Sequence, residues 1–406
     1  MNEHVDPLGS AILHLREGSA GLTRPFVLKS FPFAGLLGEN DICQMLRALG
    51  RHPQRELLLR VFIGARQCFQ SERRVFDTPP EEDSGLEAWG TEMFGPERWG
   101  CTIYRAEQLN PLLAERIASP WKTLKAGTAE ENCGQEIFVF AGNYGKTPFG
   151  VHEDREQGAA VHFHLGPGLK RMYMWTREAF EAATGGTSTF YDLAAIAHTA
   201  EIYEIPAGSA FVLPAGYFHI GETEDYSAGI VVTNVLLPER RLRDMAVSRF
   251  LDCMGLDEND DTFDDDTLSC TLGEMIGTGR RIREAERVSN AGFTPPPLGI
   301  SEVPEPAENM RFRRRTAFPL VAQDDAISGS SGELSLYARG NRLTLPESQS
   351  LMDLADDLNT LQTITWGDMI ARLETEFEPD AAAFVCRFLL DTRAIEETDR
   401  GDRPDD

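Results

Sequence analysis

The chain reads as an α+β protein: a strand-dense core of β-sandwich or barrel type, with helical regions before and after it. Two observations lead there. Between residues 126 and 237 lie the segments QEIFVFAG, AAVHFHL, RMYMW, AEIYEIP, SAFVLP and GIVVTNVL, short, rich in Val, Ile, Phe and Tyr, and parted by Gly and Pro turns. Outside that window the helical period takes over, as in ENDICQMLRALG, where Ile42, Met45, Leu46 and Leu49 fall on one face. At 406 residues the chain exceeds one ordinary core and predicts two or three domains.

Taken in order, residues 1–125 mix helix and strand signals and are expected to pack on the core. ENDICQMLRALG predicts a helix capped at Gly50, and LNPLLAERIASPW predicts a second. RELLLRVFIGA is apolar enough for a buried strand or a buried helix, and periodicity does not choose. DTPPEEDSG reads as a polar loop. Within the core window, TREAFEAATGG predicts one short helix or loop. Residues 238–316 form a helical segment, PERRLRDMAVSRFLDCMG and LGEMIGTGRRIREAERVSNAG, around the acidic run DENDDTFDDD. That run lacks the central glycine and terminal glutamate of a calcium loop and reads as a solvated loop. The stretch TPPPLGISEVPEPAEN follows as a stiff linker. Residues 317–397 carry a strand pair with a Gly-Asn turn, LSLYARGNRLTL, and then three helical patterns, an order that suggests a winged-helix-like domain. The tail, 398–406, is expected to be disordered.

Bulk composition excludes several classes. The formal charge of -26 argues against a phosphate-backbone partner, which needs clustered Lys and Arg, and agrees with a neutral or basic one. From Leu320 onward there are 19 acidic residues against 7 Arg and no Lys, a balance that argues against DNA reading by the winged-helix-like region and suits protein contact instead. The one basic cluster nearby, Arg311 and Arg313 to Arg315, is assigned to dimer or interdomain pairing with the acidic run. No signal peptide or membrane-length apolar stretch is present, which predicts a cytoplasmic protein. Seven cysteines without a CxxC pair read as reduced thiols, mostly in the core.

Chemistry concentrates between 145 and 235. GSAFVLPAGYFH spells Gly208, Pro214-x-Gly216 and His219, a tight bend that turns His219 into a barrel mouth. The spacing resembles the second motif of the cupin superfamily, with Thr223 where that pattern has Asn. His219 needs partners on another strand, and two i, i+2 pairs offer themselves: His152-x-Asp154 and His162-x-His164. The second pair would need a glutamate a few residues on, where Gly168 and Leu169 stand. The first needs nothing more, because two histidines and one carboxylate make a facial triad with three open positions. His152, Asp154 and His219 are therefore the expected metal ligands, and His162 and His164 are placed beside the site.

The string TPFGVHED, then HFHLGPGLKRMYMW, then EIPAGSAFVLPAGYFHIGE resembles the JmjC-type 2-oxoglutarate oxygenases, and most closely their bacterial, ribosomal-oxygenase-like branch. The resemblance implies a double-stranded β-helix (cupin or jelly-roll) catalytic core, a following helical segment able to dimerise, and a C-terminal winged-helix domain. It implies iron(II) on His152, Asp154 and His219, and 2-oxoglutarate with Lys170 on its distal carboxylate. Asn143, Tyr144, Thr147 and Ser227 are candidates for a further polar contact to that cosubstrate. The implied activity is hydroxylation of a side chain in a protein or peptide, with no nucleic-acid or membrane partner. A small-molecule hydroxylase on the same iron site, a cupin enzyme without 2-oxoglutarate and a non-catalytic cupin-like scaffold stand as alternatives.

Overall fold

The structure, a computed structural model, describes residues 6–82, 84–253, 272–298, 305–324 and 332–398. The acidic run, residues 299–304 of the expected linker and the tail beyond 398 lie outside the described residues. The chain forms two compact units, Met1–Leu236 and Leu237–Asp406.

The first unit holds the strands β1 (Phe26–Leu28), β2 (Leu59–Ile63), β3 (Arg66–Gln67), β4 (Trp99–Ile103), β5 (Gly134–Gly142), β6 (Gly145–Lys146) and β7 (Val151–His152). They are followed by β8 (Gln157–Pro167), β9 (Lys170–Trp175), β10 (Thr189–Phe190), β11 (Glu201–Ile205), β12 (Ser209–Leu213), β13 (Phe218–Thr223) and β14 (Ser227–Val235). Its helices are α1 (Pro7–Gly18), α2 (Glu39–Leu49), α3 (Arg55–Leu58), α4 (Phe69–Asp77), α5 (Leu86–Phe94), α6 (Pro111–Lys125), α7 (Arg177–Thr184) and α8 (Leu193–Ile196).

Two antiparallel sheets face each other. One has eight strands in the order β1-β12-β8-β14-β5-β4-β2-β3; the other runs β10-β7-β13-β9-β11, with β6 added on β13. Apolar side chains of both sheets close the space between them: Phe138, Ala160, Phe211, Leu213 and Val231 from the first, Met172, Met174 and Ile205 from the second. The alternation within β13 shows how sequence becomes geometry. Phe218 and Ile220 point outward into a cluster with Phe180 of α7 and Leu193 and Ile196 of α8. The intervening positions, His219, Gly221 and Thr223, then face inward, because successive strand residues alternate.

The division expected at residue 125 runs through a sheet: β1 pairs with β12, and β4 pairs with β5 from Gly100↔Gly142 to Ile103↔Val139. Three- and five-residue strands among helices leave little periodic signal, and their partners lie far along the chain. RELLLRVFIGA resolves as both alternatives, one helical turn in α3 leading directly into β2. Helix α2 ends at Gly50 as expected, although with φ -56 it is not a left-handed cap. Cys43, Cys68, Cys101 and Cys386 are in no disulfide, and Cys43, Cys101 and Cys386 are buried.

The second unit contains α9 (Glu239–Cys253), α10 (Leu272–Ser289), β15 (Arg311–Arg314), β16 (Val321–Asp324), β17 (Glu333–Ala338), β18 (Asn341–Pro346), α11 (Gln349–Asn359), β19 (Ile364–Thr365), α12 (Trp366–Leu373), α13 (Pro379–Asp391) and β20 (Ile395–Glu397). Two three-stranded sheets, β19-β15-β20 and β16-β17-β18, share one apolar core with α11 to α13. The helical segment and the C-terminal region, expected as separate domains, are joined here. Ile282 and Ala285 of α10 pack on Tyr337, and Gly340 N–H donates to Ser289 Oγ at 3.0 Å. The β17–β18 turn is Arg339-Gly340, both at positive φ (51° and 75°), not Gly-Asn. Paired left-handed residues match the twist of a two-residue hairpin. The basic cluster is also used locally: Arg313 and Arg315 contact Glu396, at 3.2 and 3.0 Å, and Arg314 donates to main-chain carbonyls. The acidic run it was expected to pair with lies outside the described residues.

Two buried features generate predictions. Glu107 accepts from Ile137 N–H at 2.8 Å, and burial pushes its pKa from 4.5 up to about 8. The folded state therefore keeps this proton longer than the unfolded chain, so the stability it contributes is full below about pH 4.5 and is lost as pH rises toward about 8. Glu107→Gln should flatten that slope in thermal melts and melt above wild type beyond about pH 8. In the second unit, a Cβ on Gly279 would lie 1.9 Å from the Ala246 carbonyl oxygen. Gly279→Ala should cost about 1–3 kcal/mol in denaturant unfolding of that unit by overpacking α9 against α10, without altering metal binding by the first.

Candidate metal centre and cavity

Strand β7 is only two residues long, and its register sets the centre. His152 pairs with His219 of β13 on one side and with Thr189 of β10 on the other. Direct cross-strand pairing brings the two imidazoles to a centroid separation of 4.8 Å. Asp154, two positions beyond His152, turns its carboxylate between them: Oδ1 is 3.3 Å from His152 Nε2, and Oδ2 is 3.7 Å from His219 Nε2. One ligand atom from each of the three lies within 4.8 Å of the others.

Each imidazole is oriented by the carbonyl two residues before it. His152 Nδ1 meets Gly150 O at 2.9 Å, and His219 Nδ1 meets Tyr217 O at 3.3 Å. A carbonyl can only accept, so the proton of each neutral ring sits on Nδ1 and the lone pair on Nε2 points at Asp154. Gly150 holds its part of this by a φ of +73°, where a Cβ would meet Phe190 O at 3.0 Å.

The electrostatics of the three are coupled. Burial would raise the Asp154 pKa, yet His219 and His152 outweigh it and hold the carboxyl at about 2. Burial lowers His152, but Asp154 favours the protonated ring, whose Nε2–H it can accept and whose charge it offsets, and so raises it; in His219 burial wins and lowers it. An anionic carboxylate facing two imidazole lone pairs is a donor set for a divalent cation, and three ligands on one side leave positions open. The residues thus fit the metal that the sequence implies.

The triad borders a cavity of about 680 Å³ between the two sheets. Its apolar wall is Phe138, Phe140, Met172 and Val231, and its rim includes Phe149, Arg155, Ser188 and Tyr191. Lys170 enters from β9 and is 5% exposed, its Nζ lying 5.3 Å from the centre of the Phe140 ring. Among the described residues, no carboxylate pairs with it. Thr147 lines the same cavity, and its Oγ1 is buried without a hydrogen-bond partner. Lys170 and Thr147 meet at Gly221, where a Cβ would lie 3.3 Å from Lys170 Cε and 3.6 Å from Thr147 Cγ2. Gly221 is one inward position from His219 along β13, about 7 Å of strand. The cavity therefore offers a metal site and, one step away, a buried cation with a free hydroxyl. Those are the two grips a short dicarboxylate with a chelating end requires, since burying a carboxylate needs a charge partner and hydrogen bonds.

Of the other expected polar contacts, Asn143, Tyr144 and Ser227 lie outside the cavity lining. Asn143 Oδ1 accepts from Trp99 N–H at 2.8 Å, Tyr144 borders a separate recess with Arg98 and Lys146, and Ser227 is a buried β14 residue opposite Gly142. His162 lines the cavity, whereas His164 is tied by Nε2 to Gly168 O at 2.6 Å. Both belong to β8 in the sheet opposite the triad, which is why they do not join it. Sequence reasoning missed Gly221, although its i+2 spacing from His219 places it on the same face. It also missed Tyr104, a cavity residue from beyond the end of β4 in a region assigned outside the core.

No family model and no curated protein matches the chain. Among solved structures, it is similar to YcfD, a ribosomal oxygenase from Escherichia coli, at 13% identity and a TM-score of 0.48, over 93% of this chain and 95% of that one. The same protein with cobalt and succinic acid matches at 13% and 0.48, and with cobalt and 2-oxoglutarate at 13% and 0.46, over the same shares of both chains. Likeness this distant carries no argument about the present chain, and the reading of the site rests on its own geometry.

If the triad is a metal centre, Asp154→Ala should weaken cobalt(II) binding by about a hundredfold or more in calorimetric titration. Arg171→Ala, on an exposed ion pair with Glu204 and Glu224, should leave it unchanged. Equal cobalt affinity in wild type and Asp154→Ala would remove the centre.

Proposed function

We propose that the chain is an iron(II)- and 2-oxoglutarate-dependent oxygenase that hydroxylates a side chain of a protein or peptide. The observation that carries this reading is the pairing of the His152–Asp154–His219 triad with the buried, unmatched Lys170 in one cavity. When bound, iron(II), 2-oxoglutarate and dioxygen supply the oxidising equivalent for C–H hydroxylation, with succinate and carbon dioxide as coproducts.

The chain's own residues bind, orient and exclude water. Asp154 contributes the one anionic ligand, and His152 and His219 present neutral Nε2 atoms fixed by their Nδ1 hydrogen bonds. Lys170 and Thr147 would hold the distal carboxylate. Phe138, Phe140, Met172 and Val231 keep the interior apolar, which strengthens that ion pair. The cavity extends past these residues to a rim with Arg155 and the largely exposed Tyr191, leaving room for a substrate side chain.

In the same reading the facing sheets are a double-stranded β-helix. Helices α11 to α13, with the β17–β18 hairpin as wing, form a winged-helix-like domain. Its acidic balance supports contact with protein over nucleic acid. The α9–α10 segment is where a second copy would join. Among the described residues no helix is long and apolar enough to cross a membrane.

The test is iron-dependent conversion of 2-oxoglutarate to succinate, together with gain of one oxygen atom in peptides from a cell extract. Lys170→Ala should raise the dissociation constant for 2-oxoglutarate by roughly tenfold or more while cobalt affinity holds. No succinate from wild type, or unaltered 2-oxoglutarate affinity in Lys170→Ala, would defeat the reading.

A further inference from the structure

The cavity holds one polar ring that neither the triad nor the Lys170–Thr147 pair uses. His162 lies on β8, across from the metal ligands, and is 8% exposed. Its Nδ1 is sealed off without a hydrogen-bond partner, while the ring lines the cavity. Phe140 is shared: it stacks on His162 at 6.4 Å and 21°, and Lys170 Nζ lies over it at 5.3 Å. Phe211 flanks the imidazole at 6.2 Å. The ring is therefore held by aromatic neighbours in the part of the cavity that Lys170 also reaches.

A buried polar atom without a partner is costly and stands out in a native core. Nothing among the described residues satisfies either nitrogen of His162. An acceptor placed in the cavity can reach only Nε2, since Nδ1 is enclosed. A neutral ring bearing its proton on Nε2 is a donor aimed at whatever anion Lys170 holds.

We propose that His162 is a cosubstrate-binding residue: its Nε2–H donates to the distal carboxylate of a bound dicarboxylate 2-oxoacid, completing with Lys170 and Thr147 a three-donor cradle. This deepens the oxygenase reading and rests on it. It also predicts a selectivity, because the His162 bond exists only for an oxoacid with a carboxylate at its far end.

The experiment measures binding of 2-oxoglutarate and of 2-oxopentanoate, which lacks the distal carboxylate, to the cobalt-loaded full chain. In His162→Phe, affinity for 2-oxoglutarate should fall roughly ten- to hundredfold, with 2-oxopentanoate and cobalt affinities unchanged. His162→Gln, which keeps an N–H donor, should recover part of the loss. Equal loss for both oxoacids, or no loss for either, overturns the proposal. Wild type that fails to bind 2-oxoglutarate at all refutes the oxygenase reading instead. Should His162→Phe fail to take up cobalt, proton NMR of the zinc-loaded wild type decides. The His162 Nε2–H signal should move on adding 2-oxoglutarate and stay put with 2-oxopentanoate; a signal indifferent to both overturns the proposal.

Discussion

The Asp154 carboxylate lies against the Nε2 atoms of two imidazoles, and the first unit is arranged to keep that contact. Charge draws the carboxylate and the imidazoles together, but it does not fix their geometry. They are held by main chain: the His219↔His152 strand pairing sets the separation, and the carbonyls of Gly150 and Tyr217 take up the Nδ1 protons. The inward face of β13 thus carries the centre, and its outward face, Phe218 and Ile220 against α7 and α8, is the anchor that stops the strand from slipping.

The same strand also makes room. Gly221 has no side chain where Lys170 and Thr147 approach; a Cβ there would be tight against Lys170 Cε at 3.3 Å and in ordinary contact with Thr147 Cγ2 at 3.6 Å. Met172, opposite Gly221 in the sheet, supplies apolar surface instead. A buried ammonium beside an open hydroxyl, in apolar surroundings, is a poor arrangement for stability by itself. Natural proteins keep such arrangements where a ligand completes them. This is why Lys170, Thr147 and His162 are understood together, as parts of one polar end to an apolar cavity.

The second unit obeys a different constraint. Residues 237–406 carry 35 Asp and Glu against 19 Arg, and several of those arginines are engaged within the unit. Arg313 and Arg315 engage Glu396, Arg314 serves carbonyls, and Arg339 lies 3.7 Å over the Phe318 ring while donating to Asn290.

Local pattern alone determined the strand-rich centre, the helices α2, α6, α7 and α9 to α13, and the rule that residues two apart share a face. It therefore named His152 with Asp154, and His162 with His164, as pairs; Lys170 came from the resemblance to the oxygenase family and not from pattern. Which pair meets His219 is a matter of register between strands some 67 positions apart, and only the tertiary structure decides it. The fold puts β7 beside β13 and β8 in the opposite sheet, so His152 and Asp154 meet His219 and the other pair does not. The enlistment of β1, β2 and β4 into the core sheet, and the exclusion of Asn143, Tyr144 and Ser227 from the cavity, have the same cause. Pairing and burial depend on contacts between distant segments, to which a local reading of periodicity and turns is blind.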